Sequence, residues 1–237
     1  MADTEITKKA ADYIFNLYKT KLPHKYTYHN YDHTLEVVEN CKWIGKKSDL
    51  SDTELEIVVL AAWFHDSGYI EKYDDHEEIS IELMTGFLKE NNYPDDQIQK
   101  AINCIKATKI PQSPQSLPEE VLCDSDLAHL GQKKYFEKAD LLRLEWEKVL
   151  DKKPTDAAWY RNGIDFFTSH KFHTKFAKKE FEEQKTANFL KLQKRYRKRS
   201  AEENVLLEKS AKLEFEKEKL EIQKQRLELR KEAEEKL

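Results

Sequence analysis

The sequence predicts an all-α protein: a helical bundle over residues 1–190, followed by a long charged helix over 191–237. Three observations carry that prediction. No segment reads as a convincing strand against the helical patterns along the chain. All six prolines and all five glycines lie at or before Gly163, which leaves residues 164–237 free of the usual helix breakers. Composition also changes: residues up to about 190 mix aromatic and aliphatic side chains with turn signals, whereas 191–237 is charged at more than half of its positions.

Helices are expected near 4–20, 31–47, 52–66, 76–91, 95–108, 118–129, 132–150 and 155–169, and from 171 onward. Ser51 and Glu54 have capping-box spacing ahead of the run IVVLAAWF, and Gly68 follows His65 and Asp66 where a helix can stop and the chain turn away. The run from Ile57 to Phe64 has no polar face, so that helix is expected at the centre, buried on all sides. The Pro-rich stretch PQSPQSLP at 111–118 reads as a surface connection.

In the tail, Leu192, Leu206, Leu213, Leu220 and Leu227 fall on one seven-residue series, and Phe215, Ile222 and Leu229 on a second series two positions away. Two positions are roughly 200° around a helix, so the stripes lie on opposite faces and do not form one coiled-coil seam. A connecting or homo-oligomerising helix with two contact faces fits this pattern, as does a single helix held by i to i+4 charge pairs. The basic cluster KRYRKR at 194–199 reads as a solvated face.

Of the 237 residues, 39% are apolar and 36% charged, with a net charge of −4 and a pI near 6.1. Nothing in that balance asks for nucleic acid or an acidic membrane surface as a partner. Cys41, Cys104 and Cys123 are odd in number and have no C-x-x-C spacing, which points to a reducing cytoplasm and away from a disulfide framework. The start MADTEITKKA lacks a signal-peptide core, and no stretch approaches the roughly 18 to 20 apolar residues of a membrane span.

The chemistry-bearing residues run His, then His-Asp, then Asp, in the strings YHNYDHTLE, AAWFHDSGY and LCDSDLAHLG. Imidazole and carboxylate ligands suit manganese, iron, zinc or nickel better than a thiolate-loving metal. His65 and Asp66 are about 100° apart on a helix and can share one ion at a helix end, with His33 and Asp126 arriving from other helices. Four ligands drawn from separate helices leave coordination positions open for water and substrate, as a catalytic site requires. Because His65 and Asp66 directly follow the most apolar helix, their polar groups would be costly to bury unless something satisfied them.

In this order the residues resemble the HD superfamily of metal-dependent phosphohydrolases, whose defining pattern is H, HD, D on an all-helical fold. The strings YHNYDH, WFHDSGY, HEEIS, DSDLAHLG and FHTKF followed by FEEQKTANFL resemble its small bacterial predicted-phosphohydrolase branch over about residues 5–190. The resemblance implies one divalent metal on His33, His65, Asp66 and Asp126. Hydrolases of the alarmone ppGpp carry a Glu-Asp pair where this chain has SGYI, so that substrate is not expected. Binuclear members place two further histidines before the last Asp, and only His76 lies there; Asp66 is the bridge if a second ion binds.

A divalent metal lowers the pKa of its water from about 15.7 toward roughly 7 and draws charge from a phosphoryl oxygen. Asp66, Glu77 and Glu78 are the candidates to accept the water's proton; the two glutamates also suit a helix first turn, where acids favour the dipole. His29, Lys106, Thr108 and Lys109 are the groups nearest the motifs for a substrate phosphate, and His24, His129, His170 and His173 read as structural or exposed.

The expected activity is metal-dependent hydrolysis of a phosphomonoester or phosphodiester of a small nucleotide, the nucleotide being implied by the family alone. The alternative is a sensor that binds a nucleotide and signals along the tail helix to a partner or membrane effector domain. An HD domain with such a tail also resembles the soluble front of bacterial membrane proteins of the Pycsar antiphage effector type. That resemblance implies antiviral defence and, if the chain is part of a longer protein, a membrane tether.

Overall fold

The computed structural model describes residues 4–234, with side chains as far as Arg226. Among them are nine α-helices and no strand: α1 (Glu5–Lys21), α2 (Tyr31–Lys47), α3 (Asp52–Phe64), α4 (His76–Glu90), α5 (Asp95–Thr108), α6 (Leu117–Asp126), α7 (Tyr135–Val149), α8 (Asp156–Ser169) and α9 (Lys175–Glu234). Short 3-10 turns follow α3 at Ser67–Ile70 and α6 at Ala128–Gly131. The chain divides into two compact units, one of residues up to 153 together with 165–190, the other of 154–164 together with 191 onward.

In the first unit α3 is the central element, packed by α1, α2, α4, α5 and α6. Every residue from Ile57 to Phe64 is buried, and each large apolar side chain so buried contributes about 1.5–3 kcal/mol. The capping box that starts α3 is complete: Glu54 N–H donates to Ser51 Oγ at 3.3 Å, and Ser51 N–H donates to Glu54 Oε2 at 3.0 Å.

The end of α3 corrects the expected boundary of 66 to Phe64. His65 Nδ1 donates to the Ala62 carbonyl at 2.8 Å and Ser67 Oγ to the Phe64 carbonyl at 2.8 Å, so side chains satisfy acceptors that another helical turn would have used. Gly68 also acts differently from expectation. Its φ is not positive, so its conformational freedom is not used. What it supplies is space: a Cβ there would lie 2.0 Å from the His76 carbonyl oxygen, where α4 begins against it.

The FEEQKTANFL segment fixes the start of α9 within the first unit. Asn188 Nδ2 donates to the carbonyls of Leu130 at 2.9 Å and Gln132 at 2.8 Å, and Lys185 Nζ donates to that of His170 at 2.7 Å. The helix starts at Lys175, not 171, because the Asp124 carboxylate takes the N–H groups of His173 at 2.7 Å and Thr174 at 2.8 Å while Thr174 Oγ1 caps Ala177 N.

In the second unit, Glu203 accepts from Thr155 Oγ1 at 3.2 Å and Ala157 N at 3.1 Å. Within the basic cluster, Arg199 pairs with Asp156 at 3.1 Å and Glu202 at 2.8 Å, and Tyr196 lies under the Arg161 guanidinium. Of the tail stripes Leu192 is buried, whereas Leu206, Leu213, Phe215, Leu220 and Ile222 are exposed; the side chains of Leu227 and Leu229 lie outside the described residues. No helix among the described residues is long and apolar enough to cross a membrane.

Two stability measurements follow. Gly68→Ala drives a methyl group into the first turn of α4, and chemical denaturation is expected to register a loss of about 1–3 kcal/mol. His170 has both ring nitrogens buried without a hydrogen-bond partner, and burial, then Lys185, lowers its pKa from 6.5 to about 3. The unfolded chain therefore takes up a proton that the folded chain refuses. Stability from this residue is full above about pH 6.5 and falls by up to about 1.4 kcal/mol per pH unit below it. A His170→Phe variant is expected to show a flatter acid limb in pH-dependent unfolding, and an unchanged limb would contradict the assignment.

Candidate metal centre

Three elements deliver the acids and histidines to one place. Asn30 caps α2, its Oδ1 accepting from Asp32 N at 3.0 Å and His33 N at 3.2 Å, which sets His33 in the first turn. His65 and Asp66 stand where α3 stops, and Asp126 is the last residue of α6. Asn40 of α2 donates to the Ser125 carbonyl at 3.2 Å, tying the end of α6 beside His33. In DSD the two acids are roughly 200° apart on α6, so Asp124 faces the start of α9 and Asp126 faces the histidines.

His33 Nε2 lies 3.4 Å from Asp66 Oδ2 and 3.3 Å from Asp126 Oδ1. His65 Nε2 lies 3.2 Å from the same Asp66 oxygen and 3.7 Å from the same Asp126 oxygen. His33 Nε2, His65 Nε2 and Asp66 Oδ2 are buried with no hydrogen-bond partner, and the ligand atoms of these three residues lie within 4.8 Å of one another. Orphaned buried polar atoms are rare and costly; three of them converging is the arrangement a divalent cation satisfies. His65 Nδ1 is committed to the Ala62 carbonyl, so its Nε2 is the atom left to coordinate. The cluster is closed below and open on one side: the side chains of His65, His33 and Asp66 are 1%, 5% and 6% exposed, against 18% for Asp126 and 14% for His76.

The electrostatics follow from that crowding. Burial acts to lower the pKa values of His33 and His65, but the Asp66 and Asp126 carboxylates outweigh it and both are raised, His65 well above the ordinary value. Burial acts to raise Asp66 and Asp126, and the imidazoles outweigh it, holding both below the usual carboxylate range. Two carboxylates packed this closely demand positive charge, which a bound cation or imidazole protons provide.

Around the four residues lies a shell that sequence reasoning partly missed. His76 Nε2 is 3.4 Å from Asp66 Oδ1, and its ring stacks on Tyr69 at 3.8 Å. Glu77 is partly buried with Oε2 3.9 Å from His76 Nδ1, whereas Glu78, one residue on and about 100° round the helix, is exposed and paired with Lys72 at 3.0 Å. His29 stacks on Tyr69 at 4.3 Å at the rim of the cluster. The other three substrate candidates are engaged elsewhere or turned away. Thr108 is buried and donates to the Ile105 carbonyl at 2.7 Å, Lys109 pairs with Asp75, and Lys106 is on the exposed face of α5. Tyr28, Tyr69, His129 and Glu145 also frame the site; His129 is kept neutral, its pKa lowered to about 4 by burial and then by His33. Only the proximity of Tyr28 and Tyr69 to the motifs offered a signal in sequence.

A family model described as HD domain matches residues 30–130. No curated protein matches the chain. Among solved structures, a crystal structure of a Lactobacillus plantarum protein, a structural-genomics target, superposes with a TM-score of 0.64 at 18% identity, covering 85% of this chain and 100% of that one. That likeness establishes a shared fold. His33, His65, Asp66 and Asp126 all fall inside the segment, residues 30–130, that matches the HD domain model.

Proposed function

We propose that the chain hydrolyses a phosphomonoester or phosphodiester of a small nucleotide. It would do so with one divalent ion of manganese, iron, zinc or nickel held by His33, His65, Asp66 and Asp126. HD domains are in general metal-dependent phosphohydrolases. The observation that carries the reading is the convergence of His33 Nε2, His65 Nε2 and Asp66 Oδ2, all buried and without a hydrogen-bond partner. Imidazole with carboxylate suits those four metals. The nucleotide part rests on the family alone.

When bound, a divalent ion supplies Lewis-acid chemistry, lowering the pKa of water and drawing charge from a phosphoryl oxygen. The chain's own groups supply the rest. Asp66, whose Oδ1 faces Nε2 of the partly exposed His76 at 3.4 Å, is the proposed proton acceptor, and would be the bridge if a second ion were taken up. Glu77 supports His76 from the far side of its ring at 3.9 Å, while Glu78 faces solvent and adds no more than charge. Lys109 is held by Asp75, which leaves His29 as the better-placed contact for a substrate oxygen.

Assays of a generic chromogenic phosphodiester and a nucleotide panel, with each divalent ion in turn, test the reading. Wild type is expected to turn over at least one substrate, and Asp66→Ala to lose more than about a hundredfold of that rate. Glu77→Gln is expected to cost more rate than Glu78→Gln. No turnover by wild type with any ion, or an Asp66→Ala variant as fast as wild type, would show the reading to be wrong.

A further inference from the structure

The Pro-rich connection that leaves α5 does more than cross the surface. Ile110, Pro111 and Gln112 stand on one side of a cavity of about 100 Å³ whose other walls include Leu127, Phe166 and His170. Leu127 directly follows Asp126, so the cavity adjoins the end of α6. None of its lining residues has a part in the hydrolysis proposed above.

Two of those residues bring polar atoms that the fold leaves unsatisfied. Gln112 Nε2 donates to the Cys123 carbonyl at 3.3 Å, which orients the amide and leaves Oε1 as its free end. That oxygen is buried, and so are both ring nitrogens of His170; none of the three has a hydrogen-bond partner among the described residues. The imidazole is held in place by Phe166, near-parallel at 6.2 Å between ring centres, and by Phe172, edge-to-face at 4.8 Å. Burial keeps it neutral, its pKa lowered to about 3, and a neutral imidazole offers one N–H and one lone pair.

Orphaned buried polar atoms are rare enough to ask for a partner, and the surroundings narrow what that partner is. None of the described residues in the walls is an acid, so a cation would go uncompensated, and an anion would meet the Gln112 oxygen. A neutral group with a donor beside an acceptor meets both residues. Size decides the rest. A closed apolar cavity of about 150 Å³ admits benzene, so about 100 Å³ with a mouth at the exposed Ile110 and Lys171 takes one six-membered ring and not two fused ones. The apolar faces of Pro111, Leu127 and Phe166 suit a flat ring.

We propose that this cavity binds a neutral lactam: one six-membered ring whose N–H donates to Gln112 Oε1 and whose neighbouring carbonyl accepts from His170. Any substituent on the ring leaves through the mouth beside Lys171. The site is independent of the metal cluster and of the hydrolase reading, and it is tested by binding, without turnover.

The probe is 2-pyridone, with N-methyl-2-pyridone, which lacks the N–H, as its control. Each is titrated into the full chain while proton–nitrogen spectra follow the Gln112 side-chain amide and the His170 ring. Saturable shifts at both groups are expected with 2-pyridone, and binding of the N-methyl compound about tenfold weaker, because it leaves the Gln112 oxygen unpaired. His170→Phe keeps an aromatic ring against Phe166 and removes both nitrogens, and Gln112→Leu removes the amide from the connection; each is expected to weaken 2-pyridone about tenfold at unchanged helix content by circular dichroism. The second variant decides the matter if the first does not fold. Equal binding of the two pyridones, no saturable shift at Gln112 and His170, or a folded variant that binds as wild type does would overturn the proposal.

Discussion

Beneath the end of α3, polar atoms are buried faster than protein partners can be found for them, and most of the architecture around the site answers to that. An eight-residue stretch with no polar face has to lie at the middle of the bundle, and its C-terminal end then opens where His65 and Asp66 stand. The backbone acceptors there are satisfied by His65 Nδ1 and Ser67 Oγ. What remains unsatisfied is His65 Nε2, Asp66 Oδ2 and, from α2, His33 Nε2. A hydrophobic core would normally exclude such a set, because a buried unpaired polar group costs about 1–3 kcal/mol. Their convergence is compatible with the coordination of a divalent cation.

Each neighbouring element tightens that constraint in a different way. The Asn30 cap fixes the first turn of α2 and hence His33, and Asn40 ties α2 to the end of α6, which carries Asp126. Gly68 lets α4 approach closely enough for His76 to reach Asp66. Asp124, adjacent in sequence to this work but facing the other way, receives the chain entering α9. The same short segment of α6 thus serves the site with one carboxylate and the packing of the C-terminal helix with another.

How much of this was legible in the sequence depended on whether the signal was local. The central position of α3 could be read because eight consecutive apolar residues allow no other placement in a water-exposed fold. The four candidate ligands could be read because their order and their attachment to that helix are properties of the string. The role of Gly68 could not, since it depends on α4 crossing at a point the string does not reveal. Glu77 and Glu78 were indistinguishable until the helix phase placed one beside His76 and the other beside Lys72. Glu145 is one glutamate among many in a charged chain, and its partner His29 is 116 residues away; no periodicity connects them. Lys106 and Lys109 lie near the motifs in sequence, yet Lys109 pairs with Asp75 and Lys106 stands on the exposed face of α5.

The most direct test of the account is the metal-to-protein ratio, measured by plasma mass spectrometry after dialysis, for wild type, His65→Ala and Asp126→Asn, with helix content followed by circular dichroism. The account predicts about one divalent ion per chain in wild type and far less in both variants at unchanged helix content. Wild-type protein that holds no ion after exposure to manganese, iron, zinc and nickel, or variants that retain it in full, would contradict the assignment of these residues as a metal centre.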